Sequence, residues 1–130
     1  MPKQKLPIEE NAVASGPQGA SIQIKGRLWL EKEGKTFLSW GRVLLLEHIA
    51  KLGSVAAAAR SLGMSYSHAW NMVEEMNCLA PAPLVEKQTG GAGGGGAQLT
   101  AEGQRTIEGF RSLVADFQTW VDSHPPGERF

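Results

Sequence analysis

The residues best suited to chemistry are polar side chains gathered between positions 65 and 79, where the sequence reads SYSHAWNMVEEMNCL. A helical period of about 3.6 residues turns the apolar members of this stretch toward one side. The other side then presents hydroxyl, imidazole and carboxamide groups, which can hydrogen-bond to phosphates and to base edges in a DNA groove. The residues of this polar face are Ser65, Tyr66, Ser67, His68 and Asn71. The pattern indicates a DNA-binding helix, with Trp70 assigned to packing.

A glycine-rich segment, TGGAGGGG at residues 89–96, is the second candidate for contact with a phosphate backbone. Glycine leaves the backbone amides free of side chains, so they can approach a phosphate or a groove wall. The apolar segments on either side, Leu84–Gln88 and Ala97–Thr100, are predicted strands, which favours a wing over residues 84–100. The predicted DNA contacts of the wing are Lys87, Gln88, Thr89, Gly93 and Gly94.

Alternative interpretations of the glycine-rich segment remain. Gly91, Gly93 and Gly96 match the dinucleotide-binding pattern GxGxxG, but such a site needs a parallel βαβ unit, and no third strand follows. A P-loop would end in Lys-Ser or Lys-Thr, and this run does not. A flexible linker is the more serious alternative, although the apolar flanks weigh against it.

Enzymatic chemistry has no comparable support. The sequence shows no paired carboxylates, no metal-ligand spacing and no nucleophile–base arrangement, so neither catalytic residues nor a metal site are expected. Cys78 is the only cysteine, which excludes an internal disulfide and suits a reducing cytoplasm. No stretch approaches the roughly 18 apolar residues of a membrane span. The 13 basic and 13 acidic side chains give a net charge of zero, which weighs mildly against nucleic-acid binding.

Three helices are predicted to position the polar face. Gly53 and Gly63 suit helix C-termini, because glycine readily adopts the left-handed conformation found there. Ser54 and Ser65 are candidate N-caps. Two short helices joined by a tight turn and packed on a third form a helix-turn-helix, although a plain αα-hairpin allows the same spacing. The predicted helices cover residues 40–52, 54–62 and 65–79.

The ends of the chain carry weaker patterns. Residues 1–20 contain prolines and glycines without periodicity and are predicted to be a poorly ordered leader, whereas alternating apolar residues predict a hairpin at 21–39. After the wing, Thr100 is expected to cap a long helix at 101–123, with a tail at 124–130. Apolar residues recur in that helix at heptad-like spacings, which predicts core packing in the monomer for part of this face and the seam of a homodimer for the rest. The seam residues are Ile107, Phe110, Val114, Phe117 and Val121.

Together these elements predict an α+β protein, mainly α with small β-hairpins, built as a winged helix-turn-helix across residues 21–123. Residues 41–104 resemble the N-terminal DNA-binding domain of the ModE-type molybdate-responsive transcription regulators, a winged helix related to that of LysR-type regulators. The matching motifs are SYSHAWNMVEEMN at 65–77, LVEKQTGGAGGGGAQLT at 84–100 and GQR at 103–105.

This resemblance implies a dimeric winged-helix regulator of transcription that binds double-stranded operator DNA in the cytoplasm. Family members that sense molybdate do so with a separate C-terminal oxyanion-binding domain. The sequence ends at Phe130, so neither a cofactor nor a sensing function is expected for this chain. The alternative is an interaction module, a winged helix that dimerises or binds a protein without reading DNA. The neutral charge and the acidic pair Glu74-Glu75 favour that alternative.

Overall fold

The computed structural model describes residues 14–19, 21–88 and 96–130, in which four helices accompany three two-stranded antiparallel sheets. The strands are β1 (Ala14–Ser15), β2 (Lys25–Gly26), β3 (Leu30–Lys32), β4 (Lys35–Leu38), β5 (Val85–Gln88) and β6 (Gly96–Leu99). The helices are α1 (Trp40–Leu52), α2 (Val55–Leu62), α3 (Tyr66–Leu79) and α4 (Ala101–Asp122), and a 3-10 turn at Pro126–Arg129 follows them. The predicted fold class, mainly α with small hairpins and a long C-terminal helix, is confirmed.

Side-chain caps and glycines set the ends of the helices. The Ser54 hydroxyl accepts a hydrogen bond from the Ala57 amide at 3.0 Å and so begins α2. At the other end of α2, Gly63 takes a left-handed conformation with φ 69°, and Gly53 ends α1 in the same way with φ 77°. These abrupt ends keep the connections between α1, α2 and α3 short, so the three helices pack on one another.

One hydrophobic core joins α1, α2 and α3 to the hairpin of β5 and β6 and to the first half of α4. Ala58 and Ala59 are fully buried in α2, where a small side chain lets the helix axes approach closely. Phe110 brings α4 into the same core with only 1% of its surface exposed. The hairpin contributes two buried side chains, Val85 and Ala97. The helices α2 and α3 and the hairpin of β5 and β6 therefore share one packed interior and cannot shift independently without disrupting it.

The N-terminal region differs from its prediction. Ala14 lies within the segment predicted to be a poorly ordered leader, yet it is 1% exposed, and β1 pairs antiparallel with β2. The carboxamide of Gln118 on α4 holds this strand, donating to the Ser15 carbonyl at 2.9 Å and accepting from the Ser15 amide at 3.2 Å. The prediction was therefore wrong for residues 14–19, and residues 1–13 and 20 lie outside the described part of the chain.

The predicted hairpin at 21–39 is shorter than its apolar pattern indicates. β3 pairs with β4 around a turn at Glu33 and Gly34, both with positive φ, whereas β2 belongs to the pair with β1. Alternation shows which residues suit a strand but does not identify the partner strand.

No helix in the described ranges is long and apolar enough to cross a membrane.

The apolar seam of α4 packs against its own chain. Ile107, Phe110 and Val121 are buried in the monomer, and Val114 packs against the core as a half-buried residue. The ring of half-buried Phe117 lies so close to Gly26 that an added Cβ there would lie 2.5 Å from it. Packing within one chain therefore accounts for much of this apolar face, and the assignment of these residues to a dimer interface stays a prediction. The large apolar residues that α4 leaves exposed are Leu113 (41%) and Trp120 (49%).

A charged contact adds to the packing of α4 on α1. The Arg111 guanidinium forms a bidentate pair with the Glu47 carboxylate, with the shortest N–O distance 2.7 Å, and lies 5.0 Å from the ring centre of Trp40. The hydrogen bond with Glu47 raises the pKa of Arg111 above its usual range. The bidentate pair helps to hold α4 beside α1.

Gly103 tests how closely α4 lies against the hairpin. Gly103→Ala is expected to lower the free energy of unfolding by about 1–3 kcal/mol, because the added methyl group would overlap the Leu84 carbonyl oxygen and the Leu99 side chain. The matched control is Gly109→Ala in the same helix, where an added Cβ meets nothing within 4 Å. The control is expected to raise stability by about 0.5–1 kcal/mol, since alanine suits a helix interior better than glycine. Urea denaturation followed by circular dichroism measures both, and equal effects would contradict the close packing.

Candidate nucleic-acid interface

The first two turns of α3 present a continuous polar surface. The five residues assigned to DNA contact in this helix are all exposed, Tyr66 with 55% of its surface, while the apolar face turns inward. Ser65 precedes the helix as its N-cap, and its hydroxyl accepts the His68 amide at 3.2 Å. The structure therefore brings together Ser65, Tyr66, Ser67, His68 and Asn71, which lie on one exposed face at the positive end of the helix dipole.

Trp70 packs as predicted and also makes two contacts that the sequence did not reveal. It is half-buried against the core, and its ring meets that of Tyr66 edge-on, with 6.2 Å between the ring centres and 79° between the planes. On β5, the ammonium nitrogen of Lys87 lies 4.5 Å from the centre of the same indole ring. This is the geometry of a cation–π contact, so the polar end of α3 is joined to the hairpin through Trp70.

Asn77 fixes the opposite end of α3 to the hairpin. Its carboxamide oxygen accepts hydrogen bonds from the Leu84 amide at 2.8 Å and from the Val85 amide at 3.3 Å. Its nitrogen donates to the Val85 carbonyl at 3.0 Å. Asn77 lies in the SYSHAWNMVEEMN motif, but a helical asparagine seven or eight residues before its partners carries no local signal of this role.

The strands β5 and β6 form a hairpin whose base is held on both sides. Val85 pairs with Leu99 and Lys87 with Ala97 in an antiparallel register. The Ala97 amide donates to the Gly53 carbonyl at 2.9 Å, which ties β6 to the turn between α1 and α2. Because the flanking strands are adjacent and antiparallel, the loop between them lacks the parallel βαβ setting of a dinucleotide site.

Five residues of the hairpin were assigned to DNA contact. Lys87 and Gln88 are exposed on β5, and the Gln88 side chain hydrogen-bonds to that of Gln98 across the hairpin. Thr89, Gly93 and Gly94 lie outside the described residues, so their assignment stays a prediction.

The charges behind α3 are largely compensated. Glu75 pairs with Arg42 of α1 at 2.6 Å, and the same guanidinium donates to the Thr36 carbonyl at 3.0 Å. The Lys32 ammonium donates to the Leu79 carbonyl at 2.7 Å, at the negative end of the α3 dipole. These contacts hold α3 on the hairpin of β3 and β4. Both members of the acidic pair are exposed, but among the described residues an ion pair is seen only for Glu75.

The chemistry that this surface offers is hydrogen bonding and ring contact. Across the described ranges, no three His, Cys, Asp or Glu side chains lie together in a way that could hold a metal ion. The hydroxyl, imidazole and carboxamide groups of α3 can instead donate to and accept from base edges.

Asn77 provides a test of the join between α3 and the hairpin. Asn77→Ala is expected to lower the free energy of unfolding by about 1–3 kcal/mol, because the Leu84 and Val85 amides lose their acceptor. Asn71→Ala, at an exposed position of the same helix, is the control and should change stability by less than about 0.5 kcal/mol. Thermal and urea unfolding compare the two, and equal stabilities would show that the carboxamide is dispensable.

Comparison with known proteins supports the resemblance drawn from the motifs. Residues 40–104 match the bacterial regulatory helix-turn-helix proteins of the LysR family. The chain is 46% identical over 97 residues to the DNA-binding transcriptional dual regulator ModE of Escherichia coli strain K12, which covers 75% of this chain and 37% of that protein. It is 42% identical over 96 residues to the molybdenum transport protein ModE of Azotobacter vinelandii, covering 74% and 36%. The molybdenum-pterin-binding protein MopA of Rhodobacter capsulatus is 45% identical over 86 residues, covering 66% and 32%.

The matched region contains every element of the interface. It begins at the first residue of α1 and ends within the first turn of α4, so it includes α3, the hairpin and the polar surface between them. The chain spans less than two fifths of the length of the relatives named above. From the family match and these identities, the chain belongs to the LysR-type bacterial regulatory helix-turn-helix family, and its helix-turn-helix domain is of the ModE type.

Proposed function

We propose that this chain is a DNA-binding transcription regulator of the molybdate-regulator type that binds operator DNA as a homodimer. The observation that carries the proposal is the exposed polar face of α3, which Asn77 and Trp70 hold in a fixed position beside the hairpin of β5 and β6. Relatives that share this domain are named as transcriptional regulators and molybdenum transport proteins.

In this function α3 enters the major groove with its N-terminal end foremost. The 14 residues of α3 make a helix of about 21 Å, and its width matches a major groove of about 12 Å. Ser65 and the first-turn amides then face a phosphate, where the helix dipole favours negative charge. Tyr66, Ser67 and Asn71 reach base edges, with His68 beside them.

The hairpin lies along the adjacent sugar-phosphate backbone in this arrangement. Gln88 and the glycine-rich tip, with Thr89, Gly93 and Gly94, contribute polar side chains and backbone amides to the contact. Binding of this kind uses hydrogen bonds and electrostatic attraction that the protein itself supplies, so we propose that the domain needs no cofactor to bind DNA and performs no enzymatic reaction. We propose that the protein acts in the cytoplasm, where a bacterial regulator binds its operator.

The charge of the chain supports the proposed homodimer. With a net charge of zero, one copy neutralises few phosphates and gains little non-specific affinity from counterion release. Two copies related by a two-fold axis present two recognition helices about one DNA turn, or a small multiple of it, apart. The exposed side chains Leu113 and Trp120 on α4, one heptad apart, are our candidates for the contact between the copies.

A protein-interaction module that does not read DNA is the second candidate. The zero net charge and the exposed carboxylate of Glu74 on α3 favour it, because both weaken attraction to phosphates. The two candidates differ in one measurable property: a regulator prefers certain duplex sequences, whereas the interaction module binds all duplexes equally poorly.

Asn71→Ala tests the reading of bases. Duplexes are first selected by the unaltered protein from a randomised library, and single-base variants of the winner are then titrated by fluorescence anisotropy. The variant is expected to lose about 1–3 kcal/mol of discrimination at one base pair, since a carboxamide pairs bidentately with adenine. Gln104→Ala, at an exposed position of α4, is the control and should leave discrimination unchanged.

Two results of that experiment would argue against the proposal. Unchanged preference in folded Asn71→Ala protein removes Asn71 from the base-contacting set. Failure of the unaltered protein to enrich any duplex contradicts the regulator and supports the interaction module.

The double variant Leu113→Gln, Trp120→Ala tests the homodimer. Both side chains are exposed, so the variant should fold, while the loss of apolar contact should weaken self-association at least tenfold. Analytical ultracentrifugation across the micromolar range measures this, with the unaltered protein expected to sediment as a dimer. An unaltered protein that stays monomeric over that range, with or without its selected duplex, would overturn the homodimer.

A further inference from the structure

Lys87 is the basic residue in the two strands of the hairpin, and its ammonium group already contacts an aromatic ring of α3. It lies 4.5 Å from the ring centre of Trp70, which in turn meets the ring of Tyr66 edge-on. We call these three residues the aromatic bridge. One end of the bridge belongs to β5, and the other is the exposed tyrosine in the first turn of α3.

The backbone around Lys87 is held by hydrogen bonds to neighbouring elements. Two residues earlier, Val85 is bound to the Asn77 carboxamide, and the partner of Lys87 on β6, Ala97, is bound to the Gly53 carbonyl. Lys87 therefore starts from a fixed position relative to α3. Over the face of an indole, an ammonium group is attracted by the negative charge of the ring face.

Tyr66 depends on this arrangement for its orientation. An exposed tyrosine at the start of a helix has two rotatable bonds and, without a neighbour, several accessible orientations. The neighbouring ring of Trp70 restricts those orientations, and the cation over the Trp70 ring in turn restricts the motion of Trp70. Ordering a side chain before binding reduces the entropy lost on contact with DNA.

We propose that Lys87 is a specificity-positioning residue: through Trp70 it holds Tyr66 against a base edge in the major groove, and its charge does not contact a phosphate. The inference rests on the proposed function, since it names how one residue of the DNA-binding surface works. It also replaces the role predicted from the sequence, which placed Lys87 among the direct DNA contacts of the wing.

The two roles of Lys87 have different signatures in a salt titration. A lysine that contacts a phosphate weakens binding to every sequence when it is removed, and the slope of log K against log salt falls by about 0.9. A lysine that positions Tyr66 leaves the slope unchanged, and its removal lowers discrimination only at the base pair that Tyr66 contacts.

The test uses Lys87→Met, Lys87→Arg and Tyr66→Ala on the duplex selected by the unaltered protein, with single-base variants titrated at four salt concentrations. Lys87→Met is expected to lose about two- to fivefold in discrimination at the base pair affected by Tyr66→Ala, as the strength of an exposed cation–π contact implies. Lys87→Arg should keep the discrimination, because a guanidinium also packs over an indole ring. Lys35→Met, at an exposed position of β4, controls for the loss of one positive charge.

Proton NMR gives a second, independent measurement of the contact between Lys87 and Trp70. The ε-methylene protons of Lys87 lie near the indole face, so ring current should shift them upfield in the free protein, and the shift should remain after the selected duplex is added. Tyr66→Ala leaves the lysine on the ring and should keep the shift.

Three results would contradict the positioning role of Lys87, and they show whether the proposed function fails with it. Uniformly weaker binding by Lys87→Met with a reduced salt slope overturns the positioning role while leaving the regulator intact. A methylene shift that disappears on addition of the duplex does the same. An unaltered protein that enriches no duplex overturns the proposed function itself, and the inference with it.

Discussion

The three hydrogen bonds of the Asn77 carboxamide are the constraint on which the arrangement of the interface depends. They tie the end of α3 to the first residues of β5, where the chain turns back after two prolines. This connection places the hairpin beside the helix. The pairing of β5 with β6 and the contact of Lys87 with Trp70 depend on that placement. Satisfying two backbone amides and one carbonyl with a single side chain also removes a desolvation cost that the turn would otherwise carry.

Close packing of α4 completes the same arrangement from the other side. The absence of a side chain at Gly103 lets the first turn of α4 lie against the Leu84 carbonyl, and the Thr100 hydroxyl caps that turn while donating to the Pro83 carbonyl at 2.7 Å. Phe110 then reaches the core shared by all the helices. Both ends of the hairpin are therefore fixed by contacts close to its base, and the polar surface of α3 lies on a rigid support.

Much of the helical framework and of the candidate site was predictable from the sequence. Serine and threonine before a helix, and glycine after it, act through hydrogen bonds and backbone angles within three or four residues, so Ser54, Ser65, Gly53 and Gly63 indicate their roles without tertiary information. The polar face of α3 follows from its 3.6-residue period in the same way. These features depend on interactions between residues close together in the chain, so a sequence pattern is enough to predict them.

The tertiary structure alone decided which distant groups meet. The apolar alternation after Ser21 suited a strand, but only the fold pairs β2 with β1 and holds that pair on α4 through Gln118. A heptad seam is equally compatible with a partner helix and with the core of the same chain, and Phe110 and Val121 are buried in their own monomer. The contact between Lys87 and Trp70 joins residues 17 positions apart, on a strand and a helix. Burial and pairing depend on the path of the whole backbone, so no local spacing determines them.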